Sequence, residues 1–430
     1  MNDVQTQSPQ SAQKRFRSAR SASSALIVVV VFAAAARAQT ITQRGFLDGS
    51  LMLFPHEAVN DQTQAVGDFL GREEIVVKPA RWIQFAAGLD VRANSHDQVE
   101  DSWRLDVSDR GTLRPRLSLR RALATIAHGP LSVDVGRQFI RWGKTDVLTP
   151  TDRFAPRDFV NVVDGEFLAV SGVRASLRIG PADTIDGAWV PRLTPSRVPL
   201  LGQRWVVPPE TPMPVTVVDG GAEFPSGSQG GVRWSHVGDP FEFALSYYDG
   251  FNNLPTFRTA PGATPTEFVL TRVYPQMRAY GADAAMPTRW FTIKAETAYF
   301  TAPGPIPADE YVLYVIQLER QTGEWQIVGG YAGEAVIVQR STLTFAPDRG
   351  LTKSIVGRAS YTIDTNRSVA FETAVRQNLD GEYVKVEYSQ ARGQHWRATI
   401  AGVAIGGESD DFLGQYNRNS HVRVSLRYSF

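Results

Sequence analysis

The chain has 430 residues, a formal charge of +1 and not one cysteine. Without thiols there is no disulfide framework, thiol catalysis or thiolate metal site, and the near-neutral balance lacks the basic footprint of a nucleic-acid binder. A mean hydropathy of −0.21 would suit a soluble protein, but a transmembrane barrel gives the same average because only alternate residues meet lipid, so periodicity has to decide.

Residues 1–24 are polar and basic, carrying Lys14, Arg15, Arg17 and Arg20, and residues 25–36 form an apolar run. Ala36-Arg37-Ala38 then sets small residues at the −3 and −1 positions of a cut before Gln39. A basic region, a short apolar core and an A-x-A site describe a cleaved secretory signal peptide over 1–38. A helix of such a run rises only about 18 Å, short of the roughly 30 Å hydrocarbon core, which argues against a membrane anchor. No later stretch is apolar enough to span as a helix.

From residue 39 to 430 the pattern has a period of two. Val173, Ala175, Leu177 and Ile179 alternate with Arg174, Ser176 and Arg178; Phe291, Ile293, Ala295, Thr297 and Tyr299 oppose Trp290, Thr292, Lys294 and Glu296. Such alternation is a strand with one apolar and one polar environment. The spacing predicts strands near 44–54, 71–78, 81–92, 112–127, 130–142, 167–180, 182–190, 229–238, 241–248, 278–287, 290–301, 311–321, 325–333, 351–363, 368–378, 382–390, 395–404 and 421–430. The reading is all-β: one antiparallel transmembrane barrel of about eighteen strands, or sixteen if the first two fail.

Connections alternate between tight turns, such as His128-Gly129-Pro130 and Gly238-Asp239-Pro240, and long ones such as 143–166, 191–228 and 249–277. Short periplasmic turns and longer extracellular loops are the habit of outer-membrane barrels. The last strand sets Val422, Val424, Leu426, Tyr428 and Phe430 against Arg423, Ser425, Arg427 and Ser429. Tyr428 and Phe430, at the aromatic end, resemble the signal read by the barrel-assembly machinery. The expected surroundings are outer-membrane lipid and lipopolysaccharide.

A barrel of this width leaves an aqueous lumen. Its expected wall carries Arg114, Arg116, Arg120, Arg174, Arg178, Arg358, Arg376, Arg397, Arg423 and Arg427 with Lys294 and Lys385, against Glu242, Glu296, Glu319, Glu372 and Glu387. Rings of Arg or Lys bias a pore toward anions; the alternative is that these arginines merely pair with acids on neighbouring strands. Residues 136–158 mix Arg137, Arg141, Lys144, Asp146, Asp152, Arg153, Arg157 and Asp158 with Trp142, Pro150 and Pro156. Prolines that stiffen and charges that pair suit a loop folded into a pore as its constriction, and suit equally a loop latched outward to the rim. The proline-rich 191–228 segment, with Arg204-Trp205, is either a lid over the mouth or a plain surface loop.

The runs RQFIRWGKTDVLTPTDRFAPRD at 137–158, LTPSRVPLLGQRW at 193–205 and SYYDGFNNLPTF at 246–257 resemble outer-membrane barrels of the porin and alginate-export-channel kind. That resemblance implies passive passage of a small hydrophilic solute, and the arginine face is similar in kind to a lumen that passes a polyuronate. No cofactor or metal is implied. A structural or adhesive barrel with an occluded lumen is the main alternative. An enzyme is disfavoured, since none of His56, His96, His128, His236, His395 and His421 lies in a nucleophile motif and no G-x-S-x-G, H-E-x-x-H or phosphate loop is present.

Overall fold

A computed structural model describes residues 40–207, 215–340 and 345–430; the expected signal peptide at 1–38 lies outside the described residues. Along the chain, the long strands are β1 (Thr40–Leu53), β2 (Ala65–Ala80), β3 (Ile83–Asn94), β4 (Leu117–His128), β5 (Leu131–Gln138) and β6 (Val170–Ile179). Next come β7 (Asp183–Val190), β8 (Gln229–Val237), β9 (Glu242–Phe251), β10 (Gln276–Pro287), β11 (Thr292–Thr301) and β12 (Glu310–Thr322). The last six are β13 (Trp325–Val338), β14 (Ser354–Asp364), β15 (Arg367–Arg376), β16 (Gly381–Arg392), β17 (Trp396–Gly407) and β18 (His421–Ser429).

Each of these strands pairs antiparallel with the next, and β18 pairs back onto β1 from Phe46↔Ser429 to Leu53↔Val422. The result is a closed eighteen-strand barrel. Phe430 completes the seam: its amide donates to the Gly45 carbonyl at 3.0 Å and its carbonyl accepts from the Gly45 amide at 2.9 Å. Tyr428 stands on the outer face beside Trp396, ring centroids 4.9 Å apart.

Alternation sets the two faces. On β18, Val422, Val424 and Leu426 are exposed on the outside, and Arg423 and Arg427 reach lumen partners, Asp164 at 3.4 Å and Asp48 at 2.7 Å. Slipping such a strand by one residue would turn its arginines toward the outside, at about 2–4 kcal/mol each at a bilayer midplane. Between β3 and β4 the register shifts at Gly88/Leu89, where the β4 partners are Arg121 and Leu119. The extra residue, Arg120, therefore turns inward with Arg121 rather than alternating with it.

Two features differ from the sequence expectation. First, β4 starts at Leu117, so Arg114 and Arg116 belong to the preceding loop and not to the wall. Pro115 has no amide hydrogen to give the ladder, which favours a start beyond it. Second, the long connections after β7 and β9 carry a small sheet of their own. Thr216–Glu223 and Thr256–Pro261 flank Glu267–Val273, parallel on the first side and antiparallel on the second.

Candidate functional site in the lumen

The connection between β5 and β6, residues 139–169, does not leave the barrel. Glu296, an inward residue of β11, is 1% exposed. Its carboxylate accepts from the amides of Lys144 (2.8 Å), Thr145 (2.9 Å) and Thr151 (2.8 Å), and from the hydroxyls of Thr145 (2.8 Å) and Thr151 (2.9 Å). A bare buried carboxylate would be expensive; one that accepts from so many donors is a clamp. Gln317 extends it, receiving the Asp146 amide and donating to the Asp146 carboxylate at 2.6 Å. Glycines on the wall make room. A Cβ on Gly281 would lie 2.7 Å from Thr151 Cγ2, and one on Gly231 would lie 3.0 Å from the Trp142 ring. Trp142 and Phe154 pack edge-on, centroids 5.2 Å apart, and join Ile140 in an apolar cluster against the inner wall.

From there the loop crosses to the far wall. Asp164 meets Arg423 of β18, and Glu166 is held by Arg72 at 2.7 Å, Arg92 at 2.6 Å and Arg120 at 2.6 Å. Burial would raise the Glu166 carboxyl, but Arg92 and Arg72 outweigh it and hold the group well below the usual carboxylate range. Inside the loop Asp152 accepts from the amides of Trp142 (2.5 Å) and Gly143 (2.6 Å) and pairs with Arg141 at 3.2 Å. Arg141 and Arg157 lie over the Phe167 ring at 4.0 and 4.1 Å.

The remaining residues expected at the site divide in two. Lys144 pairs with Glu242 at 2.8 Å, Asp146 lies 3.7 Å from Lys294, and Arg153 is 3.4 Å from Asp348. Arg174, on the wall, pairs with Asp186 at 2.9 Å; Arg178 faces inward by register; and Arg397 donates to Ser389 Oγ at 3.0 Å. These line the lumen. Arg137, Arg114 and Arg116 do not, and Arg376, turned inward by its register on β15, is taken up by a loop. Arg137 is buried on Asp109, Arg114 on Asp158 at 2.9 Å, and Arg376 fastens Asp411 at 2.7 Å together with the Thr352 carbonyl. Arg116 sits at the rim on Asp101, over Trp103.

The wall is less basic than the sequence pattern suggests. Register turns Asp48, Asp90, Asp134, Asp186, Asp283 and Glu334 inward as well, and Arg427, Arg72, Arg174 and Arg233 of the wall pair with four of these acids. Among the described inward arginines Arg121, Arg157, Arg178 and Arg397 have no carboxylate partner within 4.0 Å; of these Arg157 lies on the inward loop, where its only side-chain hydrogen bond is to Thr149 Oγ1 at 3.4 Å.

Segment 193–205 covers part of the mouth above this loop. Arg197 reaches Asp158 at 3.1 Å and also Asp109, and its amide bonds the Arg157 carbonyl at 2.9 Å. Burial would raise the Asp158 carboxyl; Arg114 and Arg197 overcome that and hold it well below its ordinary value. Farther on, Arg204 stacks over Phe54 at 3.8 Å, bonds Asn419 at 3.1 Å and caps carbonyls of His56 and Thr63. The segment thus spans from β7 to the loops beside β1 and β18.

What stays open is a cavity of about 490 Å³ between the inward loop and the β13–β17 wall. Asp146, Asp152, Arg153, Arg157, Asp348, Arg358 and Glu372 supply its charged lining. Among the described residues no group of three or more His, Asp or Glu is gathered to hold a metal ion.

The class defined by this geometry is an eighteen-strand antiparallel barrel narrowed by an inward loop. No protein-family model matches the chain, and no curated protein matches it. Among solved structures it is similar to OccAB4 of Acinetobacter baumannii, with a TM-score of 0.54 and 9% identity over 92% of this chain and 99% of that one. A looser likeness, TM-score 0.44 with 10% identity over 91% of this chain and 100% of the other, is to a mutant of the Rh. blastica porin. At 9% identity the likeness to OccAB4 is one of fold.

Proposed function

We propose that the protein is an outer-membrane channel passing small hydrophilic solutes by diffusion, with a preference for anions bearing carboxylates, after export by the signal peptide at 1–38. The observation that carries this is the cavity left beside the inward loop: a loop clamped inside a barrel by Glu296 narrows a lumen without filling it. The apolar outer collar supports a lipid setting. Arg157, whose guanidinium makes no ion pair within 4.0 Å although Asp152 acts on it from farther off, supports the anion preference, since a guanidinium forks onto a carboxylate.

Purified protein in planar bilayers is expected to give ohmic steps, and in a salt gradient a reversal potential on the anion side. Cation preference would reject the anionic part alone. A second reading, a structural barrel with an occluded lumen, draws on the 193–205 segment over the mouth; it predicts no conductance.

A further inference from the structure

The tight turn between β10 and β11 presents an indole unlike its neighbours at that end of the barrel. Other outer-face indoles there pack on rings: Trp234 on Phe243, Trp325 on Tyr361 and Trp396 on Tyr428, with centroids 5.2, 4.8 and 4.9 Å apart. Trp290, 58% exposed, carries two guanidiniums instead, Arg289 at 5.1 Å from its ring centre and Arg320 at 5.5 Å. The turn is closed: the Phe291 amide donates to Thr288 Oγ1 at 3.1 Å, and the Thr288 amide to the Phe291 carbonyl at 2.9 Å. Arg320 projects outward from β12, opposite Ile327 of β13 and two residues from the end of its strand.

Neither arginine has an ion pair within 4.0 Å or a hydrogen bond among the described residues. Glu319 faces the lumen, where Lys294 takes it up, and the exposed Glu324 of the next turn reaches neither guanidinium. A guanidinium over an indole uses its flat face and leaves the N–H fork at its edge unspent. On the outside of a barrel such a charge is tolerated near the headgroup level. Indoles settle at that level too, with the ring among acyl chains and the edge in water. Trp290 therefore sets the depth, and the two forks meet the layer of lipid phosphates. A zwitterionic headgroup would bring an ammonium beside two cations; a headgroup of net negative charge matches them.

We propose that Arg289, Trp290 and Arg320 form a binding site for the headgroup of an anionic phospholipid in the leaflet at the tight-turn end, its phosphodiester accepting from both guanidiniums. The inference rests on the membrane setting of the proposed function, but not on conduction. Native mass spectrometry of the intact barrel in detergent, titrated with phosphatidylglycerol and with phosphatidylcholine of the same chains, measures it. Phosphatidylglycerol is expected to bind at least roughly tenfold tighter, the scale that two cations give at an anionic surface. Arg289→Gln combined with Arg320→Gln should abolish the preference, and Trp290→Ala should weaken phosphatidylglycerol binding. Arg367→Gln, at the same end but already paired with Asp364 at 2.6 Å, should leave the preference intact. Heat-modifiable gel migration reports that each barrel has closed.

Equal binding of the two lipids, or a preference that survives the double substitution or that Arg367→Gln abolishes as well, overturns the site even if the protein conducts. Preference for phosphatidylglycerol without any conductance leaves the site standing and rejects the channel.

Discussion

Glu296 shows how much one side chain can carry. It accepts from three amides and two hydroxyls of the inward loop, and nothing else on the β11 wall offers those donors a partner. Glu296→Ala orphans them, the Thr145 hydroxyl excepted since it also reaches the Leu148 carbonyl at 2.5 Å, at about 1–3 kcal/mol for each donor that water cannot reach. The loop should then detach from β11, and single-channel steps should become larger and noisier. Steps of unchanged size would mean the loop holds without its clamp. Asp158 makes a prediction about pH. Its carboxyl is depressed in the folded protein by Arg114 and Arg197, so its contribution is complete above the unfolded value of about 4 and fades only as pH falls below that. Exchange protection of the Phe159 and Arg197 amides, corrected for intrinsic rates, should stay level down to about pH 5. Loss of protection already near neutrality would show that the segment is fastened some other way.

At the scale of elements, the strands were legible because a half-lipid, half-water environment writes itself as period two, and the register leaves each residue one face. All of the expected strands are present. Less legible were those whose inward residues are acids among glycines and alanines, as in Asp183–Val190 or Gln276–Pro287; the eye takes alternating arginines first, and so the wall looked more basic than it is. Arg114 and Arg116 continued the alternation on paper, yet Pro115 separates them from the ladder. The small outer sheet left no clear trace, since Thr216–Glu223 is broken by Gly220 and Gly221. For residues 136–158 the composition pointed equally inward and outward. What decided the direction was Glu296, a residue distant in the chain whose burial no local pattern announces. Neutralising Arg141, Lys144, Arg153 and Arg157 together with glutamine should move the reversal potential toward cations, because Asp146, Asp152, Asp348 and Glu372 then face the cavity with no cation on the loop side. An unmoved potential would place the selecting charges elsewhere on the wall.

For the molecule as a whole, closure of β18 on β1 removes every barrel edge, so stability resides in a continuous ladder rather than in a central core. The protein is expected to require detergent or lipid and to give a predominantly β circular-dichroism spectrum. Arg204→Ala, which removes the guanidinium bonds to Asn419 and the Thr63 carbonyl and leaves only the backbone bonds of residue 204 to Asn419 and Asp61, should raise the frequency of full-conductance openings while leaving the barrel's melting temperature nearly unchanged. A large drop in melting temperature would instead make that segment part of what holds the barrel shut.

The inward loop has one more effect, a mechanical one. A wide cylinder made of a single sheet is a thin hoop, easily squeezed into an oval. Residues 144–151 are bonded to β11 and Glu166 is gripped by β2, β3 and β4, so the chain runs between opposed arcs like a spoke. Ovalisation would have to stretch it. The cross-section is therefore stiffer along that diameter than across it, and lateral pressure would deform the aperture more easily across it.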